Sequence, residues 1–193
     1  MSACASCLLR PLTASVIIVA YHSGEALTRC LDSLAGQEGV AEGVVIDNGD
    51  GGSEIDAAAG GESVRVISPR KNLGFAAGCN LGANESNAEV LVFLNPDTVV
   101  APGAIAQLVR ALEERTIGIV MARLRLLDRP ELLNSRGTEV HISGLAWAGG
   151  YGEPAGRLTQ RHSVAAPSGT AMAVRADTFS ELGGFTEELF LYH

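Results

Sequence analysis

Two carboxylates in this sequence stand where apolar runs end. Asp97 follows the run at 90–94 after an Asn-Pro pair, and Asp47 closes the run that begins at Gly43. A carboxylate at the end of a buried strand is poorly solvated and needs a compensating partner. Hard carboxylate oxygens suit Mg²⁺ or Mn²⁺, which take their other ligands from water and substrate phosphates. Asp97 is therefore a candidate ligand for a divalent cation.

Both acids also have simpler interpretations. The alternative for Asp97 is a turn acid that caps a helix predicted to begin at Pro102, which needs no ligand. Asp47 lies in the sequence Asp-Asn-Gly, which favours a tight turn through backbone chemistry alone. The sequence leaves these alternatives open, since they differ in whether each side chain faces a cleft.

Further polar residues follow two other predicted strands. Ala20, Tyr21 and His22 come after the first strand. The third strand runs into the loop 69–72, which carries a basic pair and Asn72. In an open parallel sheet, ligands bind beyond the carboxyl ends of the strands, where loops and helix N-termini converge. We therefore predict a polar site at this edge of the sheet.

The common glycine-rich nucleotide loops are missing from the first strand-helix junction. No GxGxxG or GxxxxGK[ST] pattern follows the first strand, and the run at 74–78 does not match either pattern. Dinucleotide binding and P-loop phosphate binding are thus disfavoured. A bound phosphate would need a cation to neutralise it in place of a glycine cradle.

The elements that would position these residues alternate between strands and helices. Apolar, β-branched runs predict strands, and apolar residues on one face predict helices. The predicted strands are 15–21, 43–47, 63–68, 90–94 and 117–124. The predicted helices are 24–36, 54–59, 74–84, 102–115 and 176–182. Short connections between such units predict an α/β, Rossmann-like fold with a mostly parallel sheet and helices on both faces.

Length, charge and composition bound the class of protein. The chain has 193 residues, which suits one domain, and its net charge of −8 argues against nucleic acid as a partner. We predict a tail at 1–14 and a single domain at 15–193, whose character changes after residue 125. No secretory leader or apolar run of about 18 residues is seen, so we expect a soluble, cytoplasmic protein.

Five sequence blocks carry a family resemblance. They are SVIIVAYHSGEALTRCLDSL, VVIDNG, KNLGFAAGCNLGA, LVFLNPD and SGTAMAVRADTFSELGGFTEELFLYH, in this order from Ser15 onward. Together they resemble the family 2 glycosyltransferases of the GT-A fold, especially the rhamnosyltransferase-like branch. The resemblance implies a nucleotide diphosphate sugar as donor, bound with a divalent metal. It makes 15–125 the nucleotide-sugar-binding half and 126–193 the acceptor-side half.

The resemblance also implies contacts with the nucleotide. Asp47 would meet the nucleobase edge, with Ala20 and Tyr21 beside the base and ribose. The wall of the nucleotide site would be formed by Asn72, Gly74 and Asn80. For Asn80 the alternative is a side chain that points from its helix to a neighbouring loop.

Metal binding and the sugar loop follow from the same resemblance. Asp97 stands in the place of the DxD-type metal carboxylate, and Asn95 stands where the first acid of a DxD would be. A single charged ligand must then hold Mg²⁺ or Mn²⁺, so metal affinity should depend on the donor diphosphate. Ser168 and Gly169 match the loop that lies near the acceptor and the donor sugar.

One departure from the family pattern concerns the general base. After a block like GGFTEELFLYH the family continues with an acidic pair whose Asp acts as base, whereas this sequence ends at His193. An inverting transfer needs a base within reach of the attacking hydroxyl. Glu187 and Glu188 are interpreted as exposed turn acids, so no catalytic residue is identified. We expect the base to lie beyond His193, in a C-terminal part that this chain lacks.

These expectations describe an inverting glycosyltransferase domain of cell-wall or polysaccharide biosynthesis. It would transfer rhamnose or a hexose from dTDP-rhamnose or a UDP-sugar to a glycan or lipid-linked acceptor. One alternative is a noncatalytic nucleotide-sugar binding module or inactive fragment. Another is a sugar nucleotidyltransferase, whose basic, glycine-rich loop is not supplied by AYHSGEA. Peripheral association with the inner face of the membrane and a homodimer are left open.

Overall fold

A computed structural model describes residues 12–49, 51–60, 63–157 and 160–190 of the chain. Most of the predicted tail at 1–14 lies outside these ranges. The strands are β1 (Ala14–Ala20), β2 (Val40–Asp47), β3 (Val64–Ile67), β4 (Val90–Leu94), β5 (Ile119–Met121), β6 (Leu124–Arg125), β7 (Leu133–Ser135), β8 (Thr138–Val140), β9 (Ala146–Ala148) and β10 (Ala171–Arg175). The α-helices are α1 (Glu25–Leu34), α2 (Ser53–Ala59), α3 (Gly74–Asn84), α4 (Ala104–Leu112) and α5 (Ala176–Glu181).

Six of the described strands form the central sheet, in the order β3-β2-β1-β4-β10-β5. The first four strands in this order pair in parallel, and β10 runs antiparallel between β4 and β5. The other described pairs, β6 with β7 and β8 with β9, form two small antiparallel sheets. The predicted α/β class with a mostly parallel sheet is confirmed.

Helices cover both faces of the central sheet because neighbouring strand residues point to opposite sides. On one face Ile18 of β1 shares an apolar cluster with Leu27 of α1 and Ile105 of α4. On the other face Ile17 shares a cluster with Cys79 of α3, against which Phe179 of α5 packs. The strands of the middle of the sheet are thus buried on both sides, as their continuous apolar runs predict.

Several predicted boundaries are wrong, among them the start of β2, which is Val40 instead of Gly43, and the end of α4, which is Leu112 instead of Arg115. Helix α4 begins at Ala104 instead of Pro102, because Gly103 has a left-handed φ of 73° and donates its N–H to Gln37 Oε1 at 3.1 Å. The strand predicted at 117–124 is split into β5 and β6. After β5, Ala122 N–H still donates to Ala171 O at 2.9 Å, and the chain then leaves the central sheet so that β6 pairs with β7.

Helix α3 lies close against β1 because its facing positions are glycines. A Cβ atom on Gly82 would lie 2.5 Å from Ile17 Cγ2, and one on Gly78 would lie 2.9 Å from Val19 Cγ1. Distances this short leave no room for a side chain. The glycine spacing therefore fixes the start of α3 beside the carboxyl ends of β1 and β2. No helix in the described ranges has the length and apolar character needed to cross a membrane.

Candidate functional site

The carboxyl ends of the parallel strands meet at one edge of the central sheet. Strands β1, β2, β3 and β4 end at this edge, and β10 begins there because it runs the opposite way. Ala20 pairs with Asp47 in the β1–β2 register, and Asn95 N–H donates to Thr170 O at 2.9 Å. The sheet therefore brings the four predicted site segments to one edge, namely those that follow β1, β2, β3 and β4. It adds the loop before β10.

Asp47 is buried at this edge, with 5% of its surface exposed. Its Oδ1 accepts the N–H of Gly49 at 3.0 Å, and its Oδ2 accepts the hydroxyl of Ser68 at 3.2 Å. The first bond is the tight-turn contact that the sequence Asp-Asn-Gly favours. A carboxylate has about four acceptor positions, so two bonds leave capacity for a ligand donor. The turn and a binding role are therefore compatible.

Asn48 connects this turn to helix α3 and was missed in the sequence analysis. Its side chain is buried, donates from Nδ2 to Gly74 O at 2.9 Å and accepts from Leu73 N–H at 3.3 Å. Asn72 Oδ1 in turn accepts the N–H of Gly74 at 2.8 Å. Three predicted residues, Asp47, Asn72 and Gly74, are thus joined through Asn48. The signal was present in the sequence only as an Asn in a turn.

An exposed aromatic pair stands beside the Asp47 turn. The rings of Tyr21 and His22 lie edge to face, with centroids 4.3 Å apart. His22 has a φ of 48°, which is uncommon for a residue with a side chain. A Cβ on Gly49 would lie 3.6 Å from the backbone N of His22 and 3.7 Å from its Nδ1. The sequence analysis assigned no role to His22, although it directly follows the first strand.

Asp97 lines a cavity of about 750 Å³ beside the end of β4, together with Asn95 and apolar residues of α4. Among the described residues, no hydrogen bond or ion pair engages its carboxylate. The helix-capping alternative does not apply, because no described N–H of α4 donates to Asp97, and the N–H of the N-cap residue Gly103 donates to Gln37 Oε1 instead. Burial, with the negative charge of Asp97 adding to it, raises the pKa of the Cys30 thiol from 9.0 to about 12. Asp97 is exposed at this cavity, so the expectation of a poorly solvated carboxylate is wrong, because the chain turns outward after β4. Its carboxylate has no partner among the described residues.

The donor set at this position fits only one kind of metal site. No cluster of three or more His, Cys, Asp or Glu side chains occurs in the described ranges, so a cage made of protein ligands is absent there. Asp97 offers one charged oxygen ligand, and Asn95 lies two residues before it. Mg²⁺ and Mn²⁺ bind in this way when phosphates and waters supply most of the ligands. The residues therefore fit a cation that arrives with a diphosphate.

Asn80 holds the segment 184–190 against helix α3. Its Nδ2 donates to Phe185 O at 2.9 Å and to Glu187 Oε1 at 3.0 Å, and its Oδ1 accepts Phe185 N–H at 2.9 Å. It lies six residues after Gly74, or about 9 Å along the helix axis. This is the geometry of the alternative interpretation, in which the side chain points to a neighbouring loop. The predicted contact of Asn80 with a nucleotide stays a prediction.

The same segment crosses the start of α3. Phe190 O accepts the N–H of Phe75 at 3.0 Å. A Cβ on Gly74 would lie 2.6 Å from Phe190 Cδ2, and Gly74 has a φ of 80°. Both the close approach and the backbone conformation require glycine at this position. The fold therefore requires glycine at position 74 independently of any contact with a ligand.

The loop with Ser168 and Gly169 also lies at the start of α3. Ser168 Oγ accepts the N–H of Thr170 at 3.3 Å, which shapes the loop before β10. A Cβ on Gly169 would lie 3.4 Å from two ring carbons of Phe75. The predicted sugar loop is therefore adjacent to the predicted nucleotide wall.

The match to a family model decides the family of the chain. The model of glycosyl transferase family 2 matches residues 15–183. The chain belongs to this family. Two predictions are thus confirmed, namely the family and the α/β architecture with a mostly parallel sheet.

Solved glycosyltransferases share the fold of this family 2 chain. GalNAc-T7, solved with UDP, GalNAc and Mn²⁺, has a TM-score of 0.76 at 21% identity, over 96% of this chain and 39% of its own. The mannosyltransferase PcManGT from Pyrobaculum calidifontis, solved with GDP-Man and Mn²⁺, has a TM-score of 0.65 at 17% identity, over 93% and 49%. The likeness at these identities concerns the fold, and it confirms the GT-A class.

Two curated relatives match shorter stretches of the family 2 chain. The N-acetylglucosaminyltransferase of Rhizobium sp. (strain N33) is 29% identical over 124 residues, which are 60% of this chain and 28% of the relative. The uncharacterized protein MT1568 of Mycobacterium tuberculosis (strain CDC 1551 / Oshkosh) is 29% identical over 115 residues, which are 58% and 36%. The matched part thus spans about a third of each relative's length.

Proposed function

We propose that this chain is the donor-binding part of a glycosyltransferase that moves a sugar from a nucleotide diphosphate sugar to a glycan or lipid-linked acceptor. The observation that carries the proposal is the carboxylate of Asp97. It lines a large cavity at the strand-end edge and has no bonding partner among the described residues. A carboxylate that lines a cavity without a partner can bind a metal ion there, whereas a turn acid is already engaged by its own backbone.

The proposed donor lies along the edge from β2 to β4. Asp47 accepts two hydrogen bonds from the protein and would accept a further one from the nucleobase. Ala20 and Tyr21 would flank the base and ribose. The ring of Tyr21 is exposed, and His22 packs against it edge to face. The Tyr21 ring therefore suits stacking by a flat ligand. Arg70 and Lys71 are exposed and directly precede Asn72 in the sequence. This basic pair would balance phosphate charge. We expect dTDP-rhamnose or a UDP-hexose as the donor.

A divalent cation belongs to the proposal. Asp97, with Asn95 beside it, would hold Mg²⁺ or Mn²⁺ through one charged oxygen. When bound, such an ion supplies positive charge that stabilises a departing diphosphate. The protein's own part is to present the Asp97 carboxylate at the cavity. Both solved relatives described above contain Mn²⁺ with a nucleotide or nucleotide sugar.

The proposed reaction is a single displacement with inversion. The acceptor oxygen attacks the anomeric carbon, the bond from that carbon to the diphosphate oxygen breaks, and the hydroxyl proton passes to a base. Among the described acids of the C-terminal segment, Glu187 already accepts a hydrogen bond from Asn80. Its role here is to hold the segment in place, and we assign no described residue as the base.

A noncatalytic nucleotide-sugar binding module is the second candidate function. It is favoured by the same bond between Glu187 and Asn80, which leaves that acid tied to α3 and not directed toward an acceptor. A module of this kind would bind the donor without hydrolysing it and without transferring the sugar to any acceptor, which distinguishes it from the enzyme. Rhamnose transfer, a role in cell-wall polysaccharide assembly and a location at the inner membrane face are finer parts of the enzymatic proposal.

Calorimetry with nucleotides tests the donor site directly. We would titrate the chain with dTDP, UDP and GDP, each with and without Mn²⁺, and repeat the titrations with Asp97→Asn. We expect Mn²⁺ to tighten binding of one nucleotide at least about tenfold, and Asp97→Asn to remove that gain. Glu113→Gln is the matched control, since it removes an exposed acid at the far end of α4. Metal-independent binding in the unchanged chain would refute the role of Asp97.

A further inference from the structure

A second groove lies on the β8–β9 hairpin, apart from the strand-end site. Its volume is about 450 Å³, within the range of small-molecule sites. One wall is the hairpin with Glu139, His141 and Trp147, and the other wall is the segment 162–165. None of the residues predicted as site residues lines this groove. Its lining combines an indole, two imidazoles, a carboxylate, a guanidinium and two hydroxyl groups.

Trp147 is held in a fixed orientation within this groove. Its Nε1 donates to Glu139 Oε2 at 3.2 Å, and the other oxygen of Glu139 accepts from Arg136 Nη2 at 3.0 Å. Arg136 also approaches Glu153 at 3.7 Å, so two acids share the guanidinium. The indole still has 49% of its surface exposed. A half-exposed aromatic ring with a braced edge offers a rigid face for stacking.

Glycines make room for this bracing arrangement. A Cβ on Gly149 would lie 2.8 Å from Glu139 Oε1, and one on Gly150 would lie 3.1 Å from Arg136 Cδ. A Cβ on Gly137 would lie 2.4 Å from Val164 Cγ1, so the far wall packs directly on the hairpin. Side chains at these positions would displace the acid, the guanidinium or the wall. The groove is thus defined by backbone packing as well as by side chains.

The groove wall at 162–165 is followed closely along the chain by the predicted sugar loop. Thr138 of β8 donates its N–H to Ala166 O at 2.9 Å, and this bridge follows directly on the groove wall at 162–165. Two residues later the chain reaches Ser168 and the loop that packs against Phe75. The groove wall and the predicted sugar loop thus belong to one continuous segment, 162–169.

We propose that this groove binds one sugar ring of a glycan, stacked on Trp147 and hydrogen-bonded by the groove's polar rim. Sugar rings present a C–H face and a rim of hydroxyls, which match an indole face framed by His141, His162 and Ser163. A lipid surface is the poorer match, because Ile142, fully exposed at the hairpin tip, does not line the groove. The inference deepens the proposed function, since the glycan would be the acceptor.

Trp147 also provides the readout, because the chain contains a single tryptophan. We would follow its fluorescence while adding cellotetraose, chitotetraose, maltotetraose and L-rhamnose, each up to about 10 mM. The proposal expects a saturable change with at least one of these sugars. A lack of saturable change with all four would overturn it. So would a blue shift with phosphatidylglycerol vesicles alone that Ile142→Ser abolishes, since the hairpin would then be a lipid contact.

Variants separate stacking from structural damage. By calorimetry with the responding sugar, Trp147→Ala should weaken binding at least about tenfold, whereas Trp147→Phe and the tip control Ile142→Ser should stay within about threefold of the unchanged chain. Equal binding by Trp147→Ala would refute the stacking role. Nucleotide titrations on the same variants test the donor site independently. Sugar binding without any nucleotide binding would therefore reject the proposed transferase and leave the sugar groove standing.

Discussion

The strand-end site and the hairpin groove are built by different means. At the strand ends, Asp47 and Asn48 are buried, and main-chain groups satisfy most of their bonds. In the hairpin, each strand has three residues, all of β9 is exposed, and the indole is positioned by the surface side chains Arg136 and Glu139. The first site is therefore fixed by the core of the fold. The second can change through a few surface substitutions without disturbing that core.

Truncating one aromatic residue in each region should show the largest contrast. Phe93 is fully buried between Phe179 and Phe185, with ring centroids 5.1 and 5.0 Å away. We expect Phe93→Ala to lower the free energy of unfolding by about 3–5 kcal/mol, because it leaves a cavity. Trp147→Ala should cost at most about 1 kcal/mol, since the ring is half exposed. Urea unfolding measures both.

A milder variant keeps this contrast measurable if Phe93→Ala does not fold. Phe93→Leu should lower the free energy of unfolding by roughly 1–2 kcal/mol, still more than Trp147→Ala. Equal losses in the two regions would break the comparison. The hairpin would then be part of the cooperative core.

Removing one tethering side chain in each region gives a smaller contrast. Asn80→Ala deletes the partner of the Phe185 N–H, and a lost part-buried hydrogen bond costs about 1–2 kcal/mol. We therefore expect amide exchange of Phe185 to quicken about tenfold, with Phe75 following because its N–H donates to Phe190 O. Exchange at Val92 in β4 should not change. Hydrogen exchange read by NMR resolves these amides.

Arg136→Ala is the hairpin counterpart. Its ion pairs with Glu139 and Glu153 are partly exposed, so their loss should cost under about 1 kcal/mol. Amide exchange in the hairpin should then change less than at Phe185 in Asn80→Ala. If the hairpin exchange changes more, the bracing of Trp147 is stronger than surface ion pairs allow.

Alkaline pH should affect the core region, which contains the buried thiols Cys30 and Cys79. The pKa of the Cys30 thiol is raised from 9.0 to about 12 by burial and by the charge of Asp97, so the folded chain keeps a proton that the unfolded chain loses. The stability that this group contributes is complete below pH 9 and is lost as pH rises toward 12. Burial also raises the pKa of Cys79.

The measurement is the free energy of unfolding from about pH 8 to pH 11 in the presence of a reductant. We expect it to fall as pH rises, with a shallower slope in Cys30→Ala and in Asp97→Asn. Glu139→Gln, which changes a charge in the hairpin, should leave the slope unchanged. An unaltered slope in Cys30→Ala would show that this thiol is not protected by the fold.

Long, regular elements were predictable from the sequence, whereas in the second part of the chain only helix α5 was. Helix α3 occupies 74–84 as predicted, since a polar loop precedes its run of small residues and polar residues follow it. The small sheets β6–β7 and β8–β9 have two or three residues per strand, too few for any period to be read. The insertion of β10 between β4 and β5 depends on pairing between distant residues, which local patterns do not encode.

The candidate site shows the same division. The strand-end rule located Asp47, Asn72 and Asp97, because the carboxyl ends of parallel strands share an edge. It could not tell that Asn48 ties the turn to α3 or that Asn80 ties α3 to Phe185. An amide side chain serves a ligand or a backbone equally well, and only the packed chain decides between them. An aromatic at Trp147 in a glycine-rich stretch is visible in the sequence, but the groove beside it depends on the pairing of β8 with β9 and on the segment 162–165.

The position of β10 sets an order of assembly during synthesis. Its residue Ala171 pairs with Leu94, so the strand that seals β4 leaves the ribosome 77 residues after its neighbour. Until then β4, with five buried apolar residues in the finished fold, presents an unpaired edge that invites association with other chains. Nascent chains arrested before this strand should therefore be held by chaperones, and those arrested well after it should be released.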